Sequence, residues 1–255
     1  MDRNFSATAT VLSLRDSGEN NSSVTLFTQT DGIICATLYG GPKSRMRSAV
    51  CQWNTGTVYI YGNSTGGGRK ITDFDVTGWH GSFGKSLFKM WAASLAAELV
   101  IKTRCAGSSG KCWKLFSGFL DGLEIADEAQ GRTGLLRFIW RYLELMGVQP
   151  DASSCGRCGK PFLSGKFAGN EVSYLDIQDN SFICPDCADG GSGALPLTVA
   201  GIRYLSAVSG LAPAESRKIP LDTETFMLMR RMLFFLAESS AETRLNSLET
   251  GAGIL

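Results

Sequence analysis

Four cysteines in two C-x-x-C pairs, Cys155-Gly-Arg-Cys158 and Cys184-Pro-Asp-Cys187, are the residues of this 255-residue chain best suited to chemistry. Cysteines three apart can aim both sulfurs at one ion, because a tight turn brings them together. Two such turns complete a tetrahedral thiolate site for zinc. Twenty-five residues, Gly159 to Ile183, separate the pairs, slightly more than in the common four-cysteine pattern but still compatible with a zinc ribbon or knuckle. Gly156, Gly159, Pro161 and Pro185 suit the turns sterically. Four thiolates leave no open position for water or substrate, so the zinc reading is structural. Redox disulfides and free loop thiols are the alternatives. A redox C-x-x-C belongs at a helix start after a strand, a context that neither pair shows.

No catalytic constellation accompanies the cysteines. A G-x-x-x-x-G-K-[ST] loop is absent. Gly62-Asn-Ser-Thr-Gly66 spells G-x-S-x-G, but a strand follows it where the nucleophile elbow requires a helix. The one histidine, His80, has no partner by motif and reads as a satisfied structural residue. Asp73 and Asp75 lie two apart on a strand, a pair that can bind a metal but more commonly marks an exposed face.

Cations provide the other candidate chemistry. Lys43-Ser-Arg45-Met-Arg47 puts three positive charges in five residues on a loop between strands. Such a loop can contact phosphates without reading sequence. Arg15, Arg69 and Lys70 lie near other strand ends. A second cluster runs from Lys85 to Lys114, where Lys85, Lys89, Lys102, Arg104, Lys111 and Lys114 face the single carboxylate Glu98. Trp113, between Lys111 and Lys114, can stack on a base, and Lys85 and Lys89 are expected to share a helix face. The bland alternative for both clusters is a solvated surface over an ordinary core. Residues 1–79 hold seven Lys and Arg against six Asp and Glu, so that segment is nearly neutral.

The elements that must position these groups follow from periodicity. Residues 1–79 read as five short strands: apolar residues alternate at Ala7, Ala9 and Val11, then shift phase by one at Leu12, which predicts a bulge. Thr30-Asp31-Gly32 signals a hairpin. Five strands in so short a stretch fit a small closed barrel of the OB-fold kind. The pattern then changes to helices: one capped by Ser82, one over Trp113–Leu123, one near Leu135–Met146 ending at Gly147, then Thr198–Val208, and last Asp222 to about Glu238 with Asp222 or Thr223 as N-cap. The expected fold is α+β: an N-terminal five-stranded OB-fold barrel over 1–79, which carries the candidate phosphate-contacting loop, and an all-helical domain over 80–153 and 191–255. A four-cysteine zinc module over 154–190 is inserted in it.

Hydrophobic residues at 44% and charged residues at 19% place the chain among globular proteins, and a net charge of +1 excludes a grossly basic nucleic-acid binder. Cys35, Cys51, Cys105 and Cys112 are irregularly spaced and read as small buried hydrophobes in a reducing compartment. No signal-peptide pattern opens the sequence and no apolar run reaches membrane-spanning length, so a cytoplasmic, soluble protein is expected.

Several blocks resemble one family in order. Arg15-Asp-Ser-Gly-Glu followed by Val24-Thr-Leu-Phe-Thr is similar to the opening of the bacterial RecO family of recombination mediators. Asp31-Gly32, the loop Gly40 to Arg47, Gly147, Cys155-Gly-Arg-Cys158-Gly, Phe182-Ile-Cys-Pro-Asp-Cys and Leu245-Asn246-Ser247 resemble its later stretches, with Asn246 where the family usually has Lys. The resemblance implies an OB-fold, a helical domain and a structural zinc module. It also implies a non-enzymatic repair factor that binds single- and double-stranded DNA and anneals complementary strands. Such a factor helps load RecA onto strands coated by single-strand-binding protein, with RecR as partner. It further implies that the helical domain receives the acidic, aromatic-ended tail of single-strand-binding protein. Two helices offer an apolar pocket beside cations for it: Ser82–Arg104, with Lys85 and Lys89 near Phe88 and Trp91, and the C-terminal helix, with Arg230 and Arg231 near Met227 and Phe234. A zinc-stabilised adaptor without direct DNA contact is the alternative, and a zinc-ribbon RNA-processing or translation factor a weaker one.

Overall fold

The computed structural model describes residues 4–41, 44–62, 68–163, 165, 167–188 and 194–255, apart from the side chains of 106 and 107. It contains two compact units, Met1–Glu128 with Glu249–Leu255, and Ala129–Leu248.

The first unit begins with β1 (Asn4–Asp16), β2 (Asn21–Thr28) and β3 (Gly32–Tyr39), a short helix α1 (Arg45–Ala49), then β4 (Thr55–Tyr61) and β5 (Lys70–Gly78). The strands close into a barrel in the order β1-β2-β3-β5-β4, with β4 returning to β1. Alternation drives this. Val24, Leu26, Ile34, Leu38, Val58, Ile60 and Ile71 point inward and are buried, while their neighbours face out. Each fully buried aliphatic side chain contributes about 1.5–3 kcal/mol. The phase shift at Leu12 is a register shift between Val11 and Ser13, so both Val11 and Leu12 are buried. At a second irregularity, β5 passes so close to β4 that a Cβ on Gly56 would collide with the Asp75 carbonyl. The stretch read as a basic loop folds partly as α1, capped by the Ser44 hydroxyl.

Helices α2 (Leu87–Thr103) and α3 (Ser109–Ile125) complete this unit. The expected cap at Ser82 is displaced to Ser86, whose hydroxyl accepts from the Lys89 amide at 3.3 Å. Ser82 instead bonds the Glu124 carboxylate at 2.7 Å. Lys85 therefore sits in a 3-10 turn, Phe83–Lys85, and does not share a helix face with Lys89. Helix α3 starts earlier than the expected Trp113 and packs on the barrel through Phe116 edge-on to Phe27, centroids 5.9 Å apart. His80, buried, faces the Trp53 carbonyl with Nδ1 at 2.7 Å and Asp121 with Nε2 at 3.0 Å, so the lone histidine ties strand, turn and helix together.

The second unit holds α4 (Glu128–Met146), a sheet of β6 (Val172–Asp176), β7 (Ser181–Ile183) and β8 (Leu195–Thr198) in the order β7-β6-β8, then α5 (Val199–Gly210), α6 (Pro213–Ser216) and α7 (Thr223–Ala241); a last short helix α8 (Asn246–Thr250) follows. Helix α4 begins seven residues before Leu135, the start expected from sequence. Asp222 caps α7 as expected, accepting from the Thr225 amide at 2.8 Å. The aromatic run of α7 lies in or against the core, with Met229, Met232 and Leu233 buried. Among the described residues no helix is long and apolar enough to cross a membrane.

Phe116 is fully buried. Phe116→Ala is expected to lower the unfolding free energy by about 3–5 kcal/mol in urea titration, because truncation leaves a cavity between α3 and the barrel. A loss below about 1 kcal/mol would mean that α3 does not anchor there.

Candidate metal centre and nucleic-acid interface

The first C-x-x-C sits on a narrow knuckle. Ser154 bridges Pro161, the Cys155 amide donates to the Lys160 carbonyl at 2.9 Å, and the Gly159 amide closes back on the Cys155 carbonyl at 2.9 Å. Gly159 adopts φ 69°, which the turn needs and which glycine supplies at least cost. The second pair starts at the end of β7 and turns through a 3-10 segment, Pro185–Cys187, with the Cys187 amide donating to the Cys184 carbonyl at 3.0 Å. The knuckles dock directly: the Gly156 amide reaches the Phe182 carbonyl at 2.8 Å, and a Cβ on Gly156 would collide with the Ser181 side chain.

The result is a cage. The four sulfurs of Cys155, Cys158, Cys184 and Cys187 lie within 4.8 Å of one another, and Cys158 Sγ is 3.7 Å from Cys184 Sγ. Tetrahedral metal–sulfur bonds of about 2.3 Å set sulfurs ~3.8 Å apart, so the separation fits. Cys155 and Cys184 are buried, Cys187 is half-buried and Cys158 is exposed.

The donors carry the electrostatic signature of a site that wants a cation. Burial pushes the Cys155 thiol up, but amide hydrogen bonds from Cys184, Cys158 and Arg157 outweigh it and bring it down to about 7. Cys187 is pushed up to about 12 by hydrogen bonds with the Cys158 and Cys184 sulfurs, and burial raises Cys184. One thiolate forms readily at Cys155, while Cys184 and Cys187 resist further negative charge. A thiophilic dication removes that resistance. Among the described residues neither pair heads an α-helix, the usual seat of a redox C-x-x-C.

Aromatic packing holds the cage in its unit. Trp140 of α4, fully buried, lies 6.5 Å from the Phe182 ring, and Phe162 meets Phe182 edge-on at 6.5 Å. Trp140 Nε1 donates to Ser209 Oγ at 2.9 Å, and Arg203 Nε donates to the Phe162 carbonyl at 2.7 Å. Lys160 pairs with Asp186 at 2.8 Å, joining the two knuckles from outside.

The candidate cations of the first unit do not share one surface. One group lies on a rung of register partners across the barrel: Arg15 opposite Ser23, Ser23 opposite Thr37, Thr37 opposite Lys70, and Lys70 opposite Tyr61. All five side chains point outward, because the flanking Leu38, Ile60 and Ile71 fill the core. Arg69 precedes Lys70 and is half-buried. Arg47 Nε donates to the Gly40 carbonyl at 2.9 Å, which holds α1 at the same barrel end, with Arg45 exposed. Lys43 lies outside the described residues.

Lys111 and Lys114 are exposed on α3, whose start lies at the β2–β3 turn, with Ser109 against Gly32. That turn is roughly 16 Å from Thr37 along β3. Trp113 between them is half-buried with its indole N–H buried and unpartnered, so it offers little open ring. Lys85 is exposed, whereas the Lys89 ammonium is held by the Glu124 carbonyl at 2.8 Å and Ser82 Oγ at 3.2 Å.

In the second unit, Arg231 is exposed on α7 and Arg230 is half-buried, its guanidinium 5.6 Å from the Phe234 ring centroid and 3.8 Å from the Met227 sulfur. Burial and then the nearby Arg132 of α4 lower the Arg230 pKa. The residues that sequence reasoning passed over are Tyr39 and Tyr61, 51% and 43% exposed beside Lys70. They read there as ordinary strand residues. Their position after the inward Leu38 and Ile60 was the available signal.

A closed five-stranded barrel in one unit, and helices with a small sheet and a four-sulfur cage in the other, define a two-unit α+β protein. The family model described as Recombination protein O N terminal matches residues 1–78, and that described as Recombination protein O C terminal matches residues 84–249. The chain belongs to the RecO family. It is 27% identical over 233 residues to DNA repair protein RecO of Exiguobacterium sp., covering 90% of this chain and 88% of that protein. DNA repair protein RecO of Syntrophotalea carbinolica is 27% identical over 223 residues (86% and 79%), and that of Solidesulfovibrio magneticus 25% over 209 (77% and 78%).

Removing one donor tests the cage. Cys184→Ser is expected to reduce bound thiophilic metal, measured by elemental analysis of purified protein, to well below one equivalent and to lower Tm, because ligation energy is also folding energy. Unchanged metal content and Tm would show that the sulfurs do not act together.

Proposed function

We propose that this chain is a DNA-binding recombination mediator. It binds single- and double-stranded DNA, anneals complementary strands and, with RecR, helps load recombinase onto strands coated by single-strand-binding protein. It works by binding, without turnover. Family membership across nearly the whole chain is the observation that carries this reading. The barrel is assigned as an OB-fold over 1–79, with Arg15, Arg45, Arg47, Arg69 and Lys70 as its phosphate contacts and Lys43 beside them in the chain. Lys111 and Lys114 at the start of α3, and Lys85 and Lys89 near its end at Glu124, are secondary contacts; Lys89 is the least available because its charge is held internally.

Zinc is the proposed ion of the four-sulfur cage, with Cys155, Cys158, Cys184 and Cys187 as ligands. When bound, the ion would neutralise thiolate charge and tie the two knuckles together there. The segments 80–153 and 191–255, helical apart from β8 and with α2 and α3 grouped with the barrel, are the proposed helical domain, and 154–190 is its zinc module. Arg230 and Arg231 are the proposed contact for the acidic tail of single-strand-binding protein. Arg230 lies against Met227 and Phe234, and the charge of Arg132 is felt there, which favours a carboxylate with an apolar neighbour.

Titration of a fluorescent oligonucleotide against salt tests the DNA reading. Wild type is expected to bind and to weaken steeply as salt rises. Arg15→Ala with Arg45→Ala should flatten the single-strand salt slope by about 0.7 per lost phosphate contact. Almost no binding at low salt would leave the adaptor function in its place. For the partner tail, Arg230→Glu with Arg231→Glu is expected to weaken an acidic, aromatic-ended peptide by about 1–3 kcal/mol in calorimetry. Unchanged affinity with intact circular dichroism would exclude α7.

A further inference from the structure

Two exposed tyrosines bracket Lys70 on the outer face of the barrel. Tyr61 is the register partner of Lys70 across β4 and β5. Tyr39 stands on the other side, two residues beyond Thr37, the register partner of Lys70 on β3. The Lys70 ammonium lies 5.2 Å from the Tyr39 ring centroid. Adjacent strands are about 4.8 Å apart, so the two rings flank one ammonium across three neighbouring strands. Burying large rings would be the ordinary outcome, yet both rings remain substantially open to solvent.

The charge around the rings is polarised. Arg69 and Lys70 lie at this end, and Arg47 is held beside Gly40, the residue after Tyr39. The carboxylates of this face lie further along β5: Asp73 opposite Tyr59, and Asp75 accepting the Tyr59 hydroxyl. That tyrosine is thus committed to a carboxylate, and an anionic backbone passing it would be repelled. Tyr39 and Tyr61 have cations next to them instead.

We propose that Tyr39 and Tyr61 are base-stacking residues for single-stranded nucleic acid, with Lys70 between them on the phosphate. This deepens the DNA-binding function proposed above and rests on it. An open phenol ring beside a fixed ammonium matches an unpaired nucleotide, which offers a flat π-face and a phosphate a few ångströms apart. A duplex offers the phosphate only, since its bases are stacked on one another. The rung therefore favours single strands, while the Lys111–Lys114 surface, without an open aromatic ring, does not discriminate.

Three probes of equal length separate the contributions: an oligo-dT strand, the same backbone made abasic, and a duplex. Wild type is expected to bind oligo-dT at least about tenfold more tightly than the abasic strand. Tyr39→Ala with Tyr61→Ala should remove that difference while leaving abasic binding within about twofold, and Tyr39→Phe with Tyr61→Phe should keep it. Lys70→Ala should weaken oligo-dT and abasic strands alike. Equal binding of oligo-dT and abasic strands by wild type, or a preference that survives the alanine pair, overturns stacking and leaves the DNA-binding function standing. Failure of wild type to bind all three probes overturns both. Should the alanine pair misfold, Tyr39→Ala and Tyr61→Ala made singly are each expected to shrink the difference, and an undiminished difference in both overturns stacking.

Discussion

The barrel closes at a narrow seam between β3 and β5. There Thr37 pairs with Lys70, the one parallel pairing among the barrel's described residues, and the Thr37 amide donates to the Arg69 carbonyl at 2.8 Å. The other strand pairs are antiparallel and extend over several residues each. The seam converts an open five-stranded sheet into a cylinder and removes its free edges. It also decides what the surface can do. With β5 beside β3, Lys70 stands over Tyr39 on one side and opposite Tyr61 on the other. Arg15 joins the same rung only because β2 lies between β1 and β3. Residues scattered from 15 to 70 in the chain thereby share one outward line.

The second unit depends on a different constraint, the mutual repulsion of four sulfurs held together. Backbone amides pre-orient Cys155, and the Gly156–Phe182 contact fixes the spacing between knuckles. Behind them, Phe162, Phe182 and Trp140 form a buried aromatic wedge that reaches α4. The four-cysteine segment is thus part of its unit's core and not a loosely attached appendage. A change at the sulfurs should be felt at Trp140, whose indole is also pinned to Ser209 of α5.

Much of this was legible in the chain because the interactions are local. The C-x-x-C turns, the bulge at Leu12 and the Asp222 cap each follow from a few neighbouring residues. Helix starts were less legible wherever a distant group competed for a capping residue. Ser82 lost its helix to Ser86 because Glu124, forty-two residues away, takes its hydroxyl. Helix α4 extends back through Gly131 and Gly134, residues that cost about 1 kcal/mol each in a helix, because packing there outweighs propensity; Gly131 is buried. The tyrosine rung was invisible for the same reason: alternation reveals which face is outward but not which strands become neighbours.

Photocrosslinking tests most directly whether single-stranded DNA lies on this rung. A strand substituted with iododeoxyuridine, irradiated in complex with the full chain and mapped by mass spectrometry, reports which side chains touch the bases. Crosslinks at Tyr39 and Tyr61 are the expected result, with the yield suppressed by unlabelled single strand more effectively than by duplex. Crosslinks confined to α3 around Lys111 and Lys114, or to the four-cysteine segment, would contradict the account.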